Sequence, residues 1–394
     1  MATVVIGLEN CLTSPPELLC RSARFGLLLN QASVNSEFEY ASTLLARRFP
    51  GKLAALFSPQ HGLWSEQQAN MIETGHSRDD SLDVPIHSLY SETRRPTPAM
   101  LKGLDCLVID LQDVGTRIYT FVWTMMACLE ACAAARIPVV VLDRPNPLGG
   151  EVSEGPLLDS HYASFVGRSA VPMRHGLTMG ELAQWLNAKH QIKADLHVVK
   201  MTDWSRRMFW PQTGRTWVLT SPNLPRWEGC LVYPGQVLLE GTNLSEGRGT
   251  TTPFEVFGAP FINPLKLLAE LKPFELAGLL LRPIRFMPTF DKWQGKSCGG
   301  LYLHVTDPLA FRPLRTTLAL LTAVRRLWPK EFAWRDPPYE YENVKQPIDI
   351  LFGNCTFREA LDGDAIKTPG DLDERIRLDD AAWRKQVAEF LLYD

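Results

Sequence analysis

No excess of charge of either sign marks this chain: 41 basic against 44 acidic residues leave a formal net charge of -3. A dedicated nucleic-acid binder normally carries a basic stripe, so nucleic acid is not an expected partner. No apolar run is long enough to span a bilayer, so no membrane partner is expected either. The opening segment, MATVVIGLENCLTSPPELLC, lacks a basic stretch followed by a long apolar one. No signal peptide is read there, and a cytoplasmic location is the expectation. The eight cysteines contain no C-x-x-C pair, which points to reduced, mostly buried thiols rather than a disulfide framework or a metal site. The eight histidines show neither H-x-H nor H-E-x-x-H spacing, so a zinc hydrolase is not expected. A G-x-S-x-G elbow, a G-x-G-x-x-G turn after the first strand and a phosphate-binding G-x-x-x-x-G-K-S/T loop are all missing. These absences argue against an α/β-hydrolase triad, a dinucleotide site and a nucleotide site.

What remains is an ordinary globular composition, 45% hydrophobic and 22% charged, spread over 394 residues. One core rarely extends past roughly 250–300 residues, so two domains are expected. The first part alternates short apolar runs with amphipathic stretches. Strands are expected at Thr3–Gly7, Phe25–Asn30, Leu53–Ser58, Cys106–Leu111 and Val139–Asp143, with helices at Glu39–Arg48, Pro96–Leu104 and Thr120–Arg136. Val, Ile and Leu fall on both faces of these strands, as buried parallel strands require. The pattern predicts an α/β fold: a three-layer, Rossmann-like parallel-sheet domain over 1–155. From Glu151 onward Gly, Pro and Trp become frequent, and the reading changes to an α+β second domain over 156–394. Thr178–His190 reads as a helix capped by Thr178, with Glu181 at capping-box spacing. Leu196–Met201, Arg285–Pro288 and Leu301–Val305 read as strands of that domain. Pro264–Lys272, Leu309–Leu327 and Ala381–Tyr393 read as helices.

In open parallel sheets ligands bind beyond the carboxyl ends of the strands. Here those ends carry Asn30-Gln31, Ser58-Pro59-Gln60-His61-Gly62, Asp110-Leu111-Gln112-Asp113 and Asp143-Arg144-Pro145-Asn146. Each segment alone would serve as turn chemistry; four on one edge favour a site. A second polar cluster runs from Glu240 to Thr250, with Asn243, Glu246 and Arg248 among glycines. Its bland alternative is a loop stapled by its own Glu–Arg pairs. Ser221-Pro222-Asn223 is a stiff loop able to place Asn223. A cleft rich in carboxylates, amides and guanidinium groups suits glycoside chemistry.

The runs SPQHGLW, LVIDLQDVGTRIYTFVWTM, VVLDRPNPLGG, HGLTMGELA, SPNLP, EGTNLSEGRGTT and PTFDKWQGKSCGG resemble those of the NamZ-like exo-β-N-acetylmuramidases, from about Gly7 to the C-terminus. The resemblance implies a Rossmann-like catalytic domain and an auxiliary domain that closes the cleft. It also implies removal of terminal β-linked N-acetylmuramic acid from peptidoglycan-derived fragments, with no cofactor and a small sugar as the partner. Homo-oligomerisation is left open. One position departs from the family pattern: its Pro-Glu-His-Gly motif carries Gln60 here, and a glutamine cannot exchange a catalytic proton as a carboxyl group does.

The resemblance therefore shifts the expected acid to Glu73, with Asp113 or Glu246 as its partner. Asn30, Gln60, His61, Asp110, Gln112, Arg117, Tyr119, Arg144, Asn146, Glu154, Asn223, Glu240, Asn243 and Arg248 are the expected substrate-binding residues. Among the arginines, one would pair with the lactyl carboxylate of muramic acid. Two alternatives stand beside this reading: a glycosidase for another amino or acidic sugar, and a non-catalytic binder that lost its acid at Gln60.

Overall fold

The computed structural model describes residues 3–68 and 71–394. A seven-stranded sheet organises the first part. Its strands are β1 (Phe25–Leu29), β2 (Leu53–Ser58), β3 (Ser77–Asp79), β4 (Val84–Ser88), β5 (Cys106–Asp110), β6 (Val139–Leu142) and β7 (Leu196–Val199), in spatial order β3-β4-β2-β1-β5-β6-β7. All neighbours are parallel except the β3–β4 hairpin. In register, Leu28 of β1 opposes Phe57 of β2 and Ile109 of β5.

Side chains alternate between two buried faces, as the strand period of two dictates. One face puts Leu28, Phe57, Ile109 and Val141 against the helix Phe121–Ala135. The other puts Leu27, Leu56, Val108 and Val140 against the helices Gly7–Thr13 and Ala41–Arg48. Burial on both faces is why these strands read as continuous apolar runs.

Two expectations are corrected here. Thr3–Gly7 is not a strand: Val5 makes one isolated bridge to Thr202, and helix begins at Gly7, where the Glu9 carboxylate accepts the Ile6 N–H at 3.0 Å. The domain boundary at 155 also shifts. The helix Met179–Lys189, with the Thr178–Glu181 capping box in place, packs against the Phe121–Ala135 helix and leads into β7, the edge strand of the first sheet. Residues 156–199 thus belong to the sheet-bearing unit, because β7 finds its hydrogen-bond partners on β6.

The second part carries a three-stranded antiparallel sheet of β8 (Val256–Ala259), β9 (Leu279–Phe286) and β10 (Cys298–Val305), in order β8-β10-β9. The helices Trp227–Gln236 and Pro313–Leu327 cross closely at Gly235, where a Cβ would stand 2.0 Å from the Pro313 carbonyl oxygen. Leu231, Leu318 and Phe254 join the same apolar cluster as Leu28 and Ile109, so one core runs through both parts.

Candidate active site

A cleft of about 460 Å³, part of it open to solvent, lies where the two parts meet. The chain after β2 supplies Gln60 and His61, and the segment before the Phe121–Ala135 helix supplies Tyr119 and Thr120. Ser221 and Asn223 come from the Pro-stiffened loop. The second part contributes Tyr233, Glu240, Arg248, Phe254, Tyr339 and Glu340.

Glu340 stands at the centre of the hydrogen bonds that join the two parts here. Its residue is 3% exposed. Tyr90, just past β4, places its hydroxyl 3.0 Å from Glu340 Oε2, and Gln60 Nε2 donates to Oε1 at 3.4 Å. Burial pushes the Glu340 carboxyl up to about 7, with the like charge of Glu240 adding to the effect and the Tyr90 and Gln60 hydrogen bonds opposing it. The Gln60 amide is itself fixed: its Oε1 accepts from Thr120 Oγ1 at 2.8 Å, which turns its NH₂ toward Tyr90 and Glu340. Glu340 and Tyr341 both hold positive φ, 44° and 68°. Non-glycine residues rarely adopt that backbone, and such strain concentrates at functional sites.

Glu240 is held by different partners. Arg248 Nη2 donates to its Oε1 at 2.8 Å, and the Tyr339 hydroxyl donates to its Oε2 at 2.7 Å. Arg248 also pairs with Glu246 at 3.1 Å, and Lys292 closes the network on Glu246 at 2.8 Å. A carboxyl group paired with arginine beside a buried one raised to about 7 is an arrangement suited to acid-assisted glycoside cleavage. His61 is buried and turns its Nδ1 to the Gln67 carbonyl at 2.9 Å. Burial lowers it to about 4, so near neutral pH the ring is uncharged and offers a hydrogen bond rather than a charge.

Six residues expected from the sequence thus line the cleft together: Gln60, His61, Tyr119, Asn223, Glu240 and Arg248. The three expected catalytic carboxylates do not. Glu73 sits at the rim, its side chain half exposed and paired with Arg94 at 2.8 Å. That arginine stacks over the rings of Tyr90 and Tyr341. Asp113 accepts from the Gly115 N–H at 2.7 Å and faces His175 at 3.5 Å, an arrangement that shapes the turn. Glu246 is buried; burial opposes its charge, but Lys292 and Arg248 more than offset this and hold it below the usual carboxylate range.

The other expected residues do not line this cleft and bond to the chain itself. Arg117 spends its guanidinium on the carbonyls of Pro156, Val171, Leu351 and Phe352. Asn30 is bonded to Ser33 and Gln112, and Asn146 to Leu148 and Leu177. Glu154 accepts from the Arg315 N–H, and Asn243 bridges Glu331 and Ala333. Asp110 forms a buried ion pair with Arg144. Gln112 holds the carbonyls of Asp113 and Pro145. The sequence reading missed Tyr90, Thr120, Tyr339 and Glu340. The run Pro337-Pro338-Tyr339-Glu340-Tyr341-Glu342 is dense in stiff, aromatic and acidic residues, and that density was the available signal.

The chain matches two family models: exo-β-N-acetylmuramidase NamZ, N-terminal, over residues 25–228, and its C-terminal counterpart over residues 231–393. The peptidoglycan β-N-acetylmuramidase NamZ of Bacillus subtilis is 46% identical over 312 residues, which span 79% of this chain and 75% of the relative. Two crystal structures of DUF1343 family proteins from Bacteroides fragilis share the fold. One has a TM-score of 0.89 at 30% identity, covering 100% of both chains. The other has a TM-score of 0.77 at 27% identity, covering 100% of this chain and 99% of that one.

Proposed function

Because the chain belongs to the exo-β-N-acetylmuramidase NamZ family, we propose that it is an exo-acting glycoside hydrolase that removes terminal β-linked N-acetylmuramic acid from peptidoglycan-derived fragments. The observation that carries the catalytic assignment is the buried Glu340 carboxyl, held near the pKa of a working general acid. In this reading Glu340 gives its proton to the glycosidic oxygen as the bond to C1 breaks. The Glu240 carboxylate, fixed by Arg248 and Tyr339, balances the positive charge that develops at C1 and the ring oxygen. Water then adds at C1, and its released proton restores the protonated carboxyl. Tyr119, Asn223 and the neutral His61 contact the sugar from the cleft wall.

The eight cysteines are all free thiols, which supports a reducing compartment and a role in cytoplasmic recycling of cell-wall sugars. The assay that tests the activity compares para-nitrophenyl β-N-acetylmuramic acid with its N-acetylglucosamine analogue, using purified protein. Release from the muramic substrate with little from the other is the expected result. Release from neither, or from the glucosamine analogue alone, would overturn the reading.

A further inference from the structure

A second cleft opens on the first sheet, away from the catalytic residues. The strand order reverses direction between β1 and β5, and the crevice beyond the carboxyl ends at such a switch point is where open α/β sheets bind ligands. The cleft comprises about 480 Å³ of space, part of it open to solvent, and its walls include Asn35, Ser36, Gln112, Arg144, Trp210 and Arg215. Glu240, Arg248 and Glu340 belong to the other cleft.

Arg215 is built as a fixed anion receptor. Its side chain is 6% exposed. Nη1 is pinned by the Val4 carbonyl at 3.1 Å and by both Glu9 carboxylate oxygens at 3.0 Å. The Nε–Nη2 edge donates to no partner among the described residues, and that edge is the pair of parallel N–H groups that grips a carboxylate bidentately. Two further buried groups on the walls also lack partners: the Gln112 Oε1 acceptor and the Trp210 Nε1 donor. Buried polar atoms are normally satisfied, so each marks a place for a ligand atom or water. Arg144 commits Nε and Nη2 to Asp110 and both terminal nitrogens to the Val34 carbonyl, so of the two arginines it is Arg215 that has an uncommitted edge.

We propose that the switch-point cleft binds a small hydroxy-carboxylate, with the carboxylate on the Arg215 edge and the hydroxyl donating to Gln112 Oε1. The ligand oxygens take the Trp210 N–H as well.

The test is a calorimetric titration of D-lactate into the full chain, with lactamide as the uncharged comparison. D-lactate is expected to bind, and lactamide to bind at least about tenfold more weakly, since hydrogen bonds to a charged group carry most of the affinity. Arg215→Lys keeps the ion pair with Glu9 but loses the two-pronged edge, and is expected to weaken D-lactate by about tenfold or more. Glu340→Gln, in the other cleft, leaves the affinity unchanged. No binding of D-lactate, equal binding of lactamide, an unaffected Arg215→Lys variant, or loss of binding in Glu340→Gln would each overturn the proposal.

Discussion

The Gln60 amide donates to Glu340 Oε1 at 3.4 Å across the junction of the two parts of the chain, while its own oxygen is held by Thr120. Gln60 follows β2, and Glu340 lies 280 residues downstream. The position that departs from the family motif is therefore not an empty place in the site. It orients a neutral hydrogen-bonding group toward a carboxyl that burial raises to about 7.

That relationship predicts the effect of Gln60→Glu. A carboxylate at this position sets a like charge beside Glu340, and two such groups share one proton. The Glu340 step should then titrate higher, and the alkaline limb of kcat/KM should move up by about one pH unit or more. A pH–rate profile with an unchanged limb would show that Gln60 does not act through Glu340.

The same carboxyl sets the pH dependence of the natural chain. An acid that must be protonated works below its own pKa, so turnover should decline as pH rises through about 7. The sign for stability is parallel. The fold favours the neutral form of Glu340, so its contribution is complete below the ordinary carboxyl range, near 4.5, and is lost as pH rises through about 7. Asp143, raised to about 6 chiefly by burial, acts in the same direction. Denaturant melts of wild type and Glu340→Gln at pH 5 and pH 8 should differ in their pH response by on the order of 3 kcal/mol. Parallel responses would remove Glu340 as the titrating group.

Glu246 and Glu73 separate a buried network from a surface pair. Lys292→Met leaves the buried Glu246 with Arg248 as its remaining ion-pair partner and should cost about 3–5 kcal/mol by urea denaturation, as breaking a buried pair does. Glu73→Gln breaks a half-exposed pair with Arg94 and should cost under about 1 kcal/mol. Its turnover should stay within about tenfold of wild type, because a true general acid contributes about 10²–10⁴-fold. A larger loss of activity in Glu73→Gln, at unchanged stability, would return the acid to the rim.

Much of the first sheet was legible because its physics is local. β1, β2, β5 and β6 are short apolar runs bounded by turn residues, and each lies within a residue or two of its expected span. The β3–β4 hairpin was not legible: Ser77–Asp79 is polar and mostly exposed, and its place is set by pairing with β4. β7 was recognised as a strand but assigned to the wrong unit, since nothing in LHVV states which sheet edge it will join. The site divides in the same way. Gln60 and His61 were found because the carboxyl-end rule applies to the strand that precedes them, and Tyr119 through the family resemblance. Glu240 and Arg248 were found from a dense polar motif. Glu340 escaped because its surroundings come from Tyr90 and Gln60 meeting it across the chain, and its raised pKa from burial there. Arg117 and Asn146 illustrate the converse: polar residues in motif-dense segments that satisfy backbone groups.

The most direct test of Glu340 as the acid varies the leaving group. Wild type and Glu340→Gln would be compared on para-nitrophenyl β-N-acetylmuramic acid and on the unactivated N-acetylmuramyl–N-acetylglucosamine disaccharide. The nitrophenolate departs without a proton, whereas the sugar oxygen requires one. The account predicts that Glu340→Gln loses about 10²–10⁴-fold in kcat/KM on the disaccharide and much less on the nitrophenyl substrate. Equal losses on both substrates, or no loss on the disaccharide, would contradict it.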